Sequence, residues 1–128
     1  MGALDHFSPN TRRWFAATFP SATPAQERGW EAISQGEHTL ILAPTGSGKT
    51  LAAFLWALDR LVTAPTPAAD RDRLRVLYVS PLKALSYDVE RNLRAPLAGI
   101  AREAQRAGTA WSALRVATRT GDTPAAER

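Results

Sequence analysis

Two glycines, a lysine and three hydroxyl side chains stand together in Ala43-Pro44-Thr45-Gly46-Ser47-Gly48-Lys49-Thr50. Glycine at 46 and 48 lets the backbone curl so that several N–H groups converge on one anion. Lys49 supplies a mobile point charge suited to the β- and γ-phosphates of a nucleotide, and Thr50 offers a hydroxyl to Mg²⁺. Thr45 and Ser47 complete the loop. The motif lies between an apolar run and an amphipathic segment, the strand–loop–helix context that a phosphate loop requires. The helix start adds its own partial positive charge. The general pattern has a further glycine where this chain has Ala43.

Other residues could serve the same ligand or a second one. Gln26 can donate and accept, so its amide could pair with the N6/N7 edge of adenine, and Phe19 is the leading ring to stack on the base. Thr23-Pro24-Ala25-Gln26 is also a capping box, in which Gln26 reaches back to the Thr23 N–H. The phosphate loop downstream tips the reading toward the base contact. Lys83 lies in Ser80-Pro81-Leu82-Lys83, and with the N–H groups of the helix start it could hold a nucleic-acid phosphate. Arg119-Thr120-Gly121-Asp122 is a third polar, glycine-bearing turn.

The elements that must position these groups can be read from pattern. Ser8-Pro9, Thr23-Pro24, Ser80-Pro81 and Thr123-Pro124 each announce a capped helix start, since a hydroxyl caps an orphan N–H and proline is tolerated at the first helical position. The first helix carries Trp14 and Phe15 inward and ends before Pro20; the second covers Ala25–Ser34, with Gly36 beyond it. A third runs from Lys49 to Val62, its apolar residues at helical spacing. A fourth runs from Pro81 to Arg94, and after a break at Pro96 another helix runs to Ala107 with Gly108 as its stop. Three short apolar runs, 38–43, 74–79 and 114–118, read as strands, the first two buried. Strands alternating with helices predict an α/β fold, an open parallel sheet with helices on both faces. The three polar turns then gather at one sheet edge, where ligands of such folds bind.

Composition bounds the rest. The chain has 128 residues, 45% hydrophobic and 22% charged, with no cysteine and two histidines, His6 and His38. Disulfide frameworks, thiolate metal sites and cysteine nucleophiles are excluded. The longest strongly apolar stretch, Leu51 to Leu58, is far short of the roughly 20 residues that cross a bilayer. No secretory signal is visible, so a cytoplasmic protein without membrane contact is expected. The formal net charge is +4, all of it from residues 65–128, which hold eleven Lys/Arg against seven Asp/Glu. That asymmetry fits a polyanion partner. Of sixteen basic residues only Lys49 and Lys83 are lysine.

The stretches TPAQERGWEAI, LILAPTGSGKTLAAFLWALDRL, VLYVSPLKALSYDVERNLRAPLAGI and RTGDTPAAER together resemble the N-terminus of Lhr, the large helicase-related superfamily 2 helicases, over nearly the whole chain. Alanine at position 43 is a form seen in many helicases. The resemblance implies part of a RecA-like ATP-binding motor domain. Gln26 matches the adenine-reading glutamine, and Gly46 to Thr50 the ATP and Mg²⁺ loop. Pro81 and Lys83 match one strand-contacting motif, and Thr120 to Asp122 a second. It further implies an ATP-driven translocase moving three-prime to five-prime on single-stranded DNA, unwinding duplexes including RNA–DNA hybrids, in genome maintenance.

Helicases of this kind hold Mg²⁺ and polarise water with an Asp-Glu pair. No Asp-Glu dipeptide occurs in these residues, and the second motor domain, with its arginine finger, is absent as well. With a helix announced at Thr123-Pro124 and four residues left to run, the chain reads as an incomplete first motor domain, partnered by the remainder of the helicase chain. Alone it is expected to bind nucleotide weakly without productive hydrolysis, and to be poorly soluble because the open sheet leaves an unpaired edge. Two other readings stay open: a different phosphate-loop NTPase, such as a kinase or transporter ATPase, and a non-catalytic nucleic-acid-binding module.

Overall fold

A computed structural model describes residues 2–128, which form four α-helices, α1 (Pro9–Thr18), α2 (Pro24–Ser34), α3 (Lys49–Thr63) and α4 (Lys83–Ala107). Short 3-10 turns at Ala3–His6, Asp70–Asp72 and Ala125–Glu127 punctuate the connections. Each α-helix starts or stops where its sequence allows. Pro9 and Pro24 occupy first-turn positions behind extended Ser8 and Thr23. Gly36 and Gly108, at φ 80° and 66°, take the left-handed conformation that ends α2 and α4.

The core is built on aromatic rings. Phe7 stands edge-on between Trp30 and Trp56, with ring centroids 5.0 and 5.6 Å away, and Phe15 packs on Trp30 at 5.6 Å. Leu55, Val62 and Ile100 close this cluster, and Phe54, Leu58 and Leu93 form a smaller one where α3 meets α4. Residues 11, 14 and 15 of α1 are buried together, as the i, i+3, i+4 stripe of a helix demands. α2 lies on α3, where the Trp30 indole N–H donates to the Leu51 carbonyl at 3.1 Å. α1 lies on α4, its Trp14 ring seated over Gly99.

The expected open parallel sheet is not present: among the described residues there is no strand, and the architecture is helical. Residues 38–43, 74–79 and 114–118 carry no ladder of backbone hydrogen bonds. Their apolar side chains are instead largely uncovered, Leu40 at 82%, Leu42 at 85%, Leu77 at 77% and Val79 at 79% exposure. The physical reason is that a helix closes its hydrogen bonds within four residues, whereas a sheet needs a second segment alongside and a layer on each face. An apolar run states a demand for burial and cannot supply what buries it.

Three smaller expectations are also corrected. α4 runs unbroken through Pro96, which is itself buried with Leu93, Gly99 and Ile100. Packing of that face offsets a missing N–H that costs about 3 kcal/mol in an isolated helix. α4 starts at Lys83 behind Leu82, two residues later than expected, because Ser80 Oγ accepts from the Leu82 N–H in a preceding bend. Among the four Ser/Thr-Pro signals, only Thr23 caps its helix through its side chain.

Candidate functional site

The phosphate loop has the conformation its glycines allow. Gly46 and Gly48 sit at φ 84° and 76°, and Gly48 is the left-handed residue from which α3 springs. The Pro44 carbonyl accepts from both the N–H and the hydroxyl of Ser47, which draws the loop into a tight turn. No side chain caps α3, so the orphan N–H groups of its first turn are left for an anion. Lys49 is exposed and Thr50 half-buried on that turn. Lys49 borders an open groove of about 520 Å³ shared with Glu37, His38 and Ile41. Thr45 and Gly46 lie exposed at the tip.

Gln26 is buried and makes both bonds of the capping box: Thr23 N–H donates to Gln26 Oε1 at 3.0 Å, and Gln26 N–H to Thr23 Oγ1 at 3.2 Å. Its Nε2 then donates to the Gly48 carbonyl at 3.2 Å. The amide that could read adenine is therefore hydrogen-bonded to the phosphate loop, with one N–H and one carbonyl lone pair still unspent. Phe19 is half-buried, its ring 4.9 Å from Phe15 and 6.0 Å from Trp14, so the structure places it in the aromatic cluster.

A second group forms away from the loop in sequence. The Lys83 ammonium meets Asp122 Oδ2 at 2.5 Å, both side chains exposed. That hydrogen bond and the Asp122 charge raise Lys83 above the ordinary ammonium value. Thr118 donates to Glu90 on α4 at 2.7 Å and thereby lowers the Glu90 pKa. Thr120 N–H donates to Thr123 Oγ1 at 2.8 Å, closing the turn that carries Gly121. Pro81 lies exposed in the bend before α4. The Arg119 guanidinium is turned onto the carbonyls of Glu127 and Thr118.

Two further contacts that sequence reasoning did not supply support the site. The Thr23 hydroxyl, besides capping α2, donates to the Ser47 carbonyl at 2.6 Å, so Thr23 and Gln26 hold the phosphate loop from one helix start. A cap hydroxyl still has a hydrogen to give, and that was the available signal. Asp59 is completely buried on α3 and accepts from the Ser8 N–H at 3.0 Å, Ser8 Oγ at 2.5 Å, Thr11 Oγ1 at 2.6 Å and Arg60 at 2.7 Å. Burial pushes its pKa up, but the hydrogen bonds from Ser8, Thr11 and Arg60 outweigh burial and leave it below the ordinary value. Its signal was a carboxylate at the i+4 position from Leu55 on the apolar stripe of α3.

A loop of left-handed glycines at an uncapped helix start, braced by a capping glutamine, with a separate lysine-bearing turn, points to a class. Residues 23–123 match the DEAD/DEAH box helicase family, and the chain belongs to it. Within that family it is similar to the Lhr helicases. It is 56% identical over 98% of its length to the Lhr helicase/probable uracil glycosylase of Mycolicibacterium smegmatis, and 53% identical over 97% to the Lhr helicase/uracil glycosylase of Escherichia coli. It spans 8% of the length of each of these relatives. The ATP-dependent helicase Lhr-Core of Methanocaldococcus jannaschii is 41% identical over 91% of the chain, which covers 14% of that protein. Its backbone matches a solved structure of Mycobacterium smegmatis helicase Lhr bound to ssDNA and AMP-PNP, with a TM-score of 0.89 and 54% identity over 99% of this chain and 16% of that one.

Proposed function

We propose that this chain is the N-terminal part of the first motor domain of an Lhr-type ATP-dependent DNA helicase, a translocase moving three-prime to five-prime along single-stranded DNA and able to open RNA–DNA hybrids. ATP lies with its triphosphate on the loop from Thr45 to Thr50, its adenine toward Gln26. The strand lies across Pro81, Lys83 and the turn from Arg119 to Asp122. The carrying observation is the left-handed Gly48 at an uncapped helix start, pinned through its carbonyl by Gln26. The likeness to an Lhr structure bound to ssDNA and AMP-PNP supports the same reading. Membership of a helicase family sets aside a kinase or transporter ATPase.

Mg²⁺, when it arrives with the nucleotide, neutralises phosphate charge. Thr50 fits as its protein ligand because it stands on the first turn of α3. Among the described residues no group of three or more His, Asp or Glu could hold a metal by itself. In this reading the acidic pair and the second motor belong to the remainder of the helicase chain, and these residues bind without completing hydrolysis.

Calorimetry with AMP-PNP and Mg²⁺ tests the reading. Binding is expected, with at least about tenfold loss in Lys49→Ala, which removes a charge-assisted contact to phosphate. Gly48→Ala should lose it too, because its Cβ would stand 2.3 Å from Gln26 Nε2 at a φ of +76°. Equal affinity in all three proteins would overturn the nucleotide site. Single-stranded DNA binding that ignores AMP-PNP would favour a plain nucleic-acid binder. Steady ATP turnover by these 128 residues, abolished in Lys49→Ala, would overturn the division of labour.

A further inference from the structure

The two turns read as strand contacts meet in the folded chain, joined by the 2.5 Å pair of Lys83 and Asp122 across 39 residues. An ammonium has three donors and a single charge, so a carboxylate already paired with it weakens its attraction for a nucleic-acid phosphate. The carboxylate is not what shapes its own turn. Thr118 is tied to Glu90 at 2.7 Å, Thr120 N–H to Thr123 Oγ1 at 2.8 Å and Asp122 N–H to Thr120 Oγ1 at 3.2 Å. None of these bonds uses the Asp122 side chain.

Resting on the reading of this edge as a strand-binding surface, we propose that Asp122 is a positioning residue. It holds Lys83 while no nucleic acid is bound, and a backbone phosphate of single-stranded DNA takes its place. The released carboxylate then lies near the bound phosphate and repels it. The contact is weaker than a free lysine would make, which suits a grip that must be let go repeatedly.

The test is fluorescence anisotropy of the whole chain with a labelled oligothymidylate between about 50 and 200 mM salt, the range over which phosphate contacts weaken steeply. Asp122→Asn should bind about 3- to 10-fold tighter at the low end, the gain fading as salt screens exposed charge. Lys83→Ala should bind more weakly, and adding Asp122→Asn to it should bring a clearly smaller gain, because only the repulsion is then left to remove. Independently, the Lys83 ammonium should titrate lower in Asp122→Asn than in wild type by NMR.

Unchanged or weaker binding by Asp122→Asn, in a chain that binds DNA through Lys83, overturns this inference and leaves the proposed function standing. So does an equal gain in the Lys83→Ala background, which would mark a general charge effect, or an unaltered Lys83 titration. A wild-type chain that does not bind the oligonucleotide overturns the proposed function, and the inference with it.

Discussion

Asp59 is fully buried and accepts from four donors, an arrangement that keeps a carboxylate ionised. It fastens the start of α1 to the middle of α3, the helix that begins in the phosphate loop. Truncation to alanine would take the acceptor from the buried Thr11 hydroxyl and from the half-buried Ser8 N–H and hydroxyl, so Asp59→Ala should cost about 1–3 kcal/mol at neutral pH, read from urea midpoints. The sign of the pH effect follows from its folded pKa lying below the ordinary 3.8. The stabilisation is complete above that value and is lost as pH falls through the folded one. Wild type should therefore lose stability below about pH 3.8 more steeply than Asp59→Ala; parallel acid profiles would show that Asp59 is not the linked group. Gln26 teaches a related point. Its capping role was legible in the sequence, but its bond to the Gly48 carbonyl was not, because nothing local brings residue 26 beside residue 48.

Helix α4 rests on α1 through a glycine. A Cβ at Gly99 would lie 2.1 Å from Trp14 Cδ1, an indole wedged in the core. Gly99→Ala must push the two helices apart and should destabilise by about 1–3 kcal/mol. Gly29 in α2 is the control. There the one close approach of a Cβ would be to the Cδ1 tip of Ile41 at 2.9 Å, which a rotamer change relieves, and alanine recovers up to about 1 kcal/mol of helix propensity. Thermal melts should separate the two, and an equal gain from both would mean that helix propensity and not interhelical spacing governs them. The helices themselves were readable almost to the residue, since caps, stops and a 3.6-residue stripe are local. The exception was α4 at Pro96, where the local penalty is real but the buried face is shared with α1.

Over the whole molecule, apolar residues of the 39–42 and 74–79 segments stand uncovered. Their exposure replaces an unpaired sheet edge as the physical basis for poor behaviour of these residues alone. The 128-residue chain should bind the dye ANS at neutral pH and associate as concentration rises, following exposed apolar patches of this kind. A monodisperse monomer with a sharp melt and no dye binding would contradict it. By itself the sequence determined the first three helices, the glycine-bearing loop before α3 and the capping box, because each is written in residues a few positions apart, and the family, through stretches spread along the chain. Only the tertiary structure decided that Thr23 and Gln26 grip that loop, that Asp59 is buried, that Lys83 is paired with Asp122, and that the three apolar runs form no sheet. Those outcomes turn on which distant segments come within bonding distance, and a distance across the fold is set by the packing of all the elements at once.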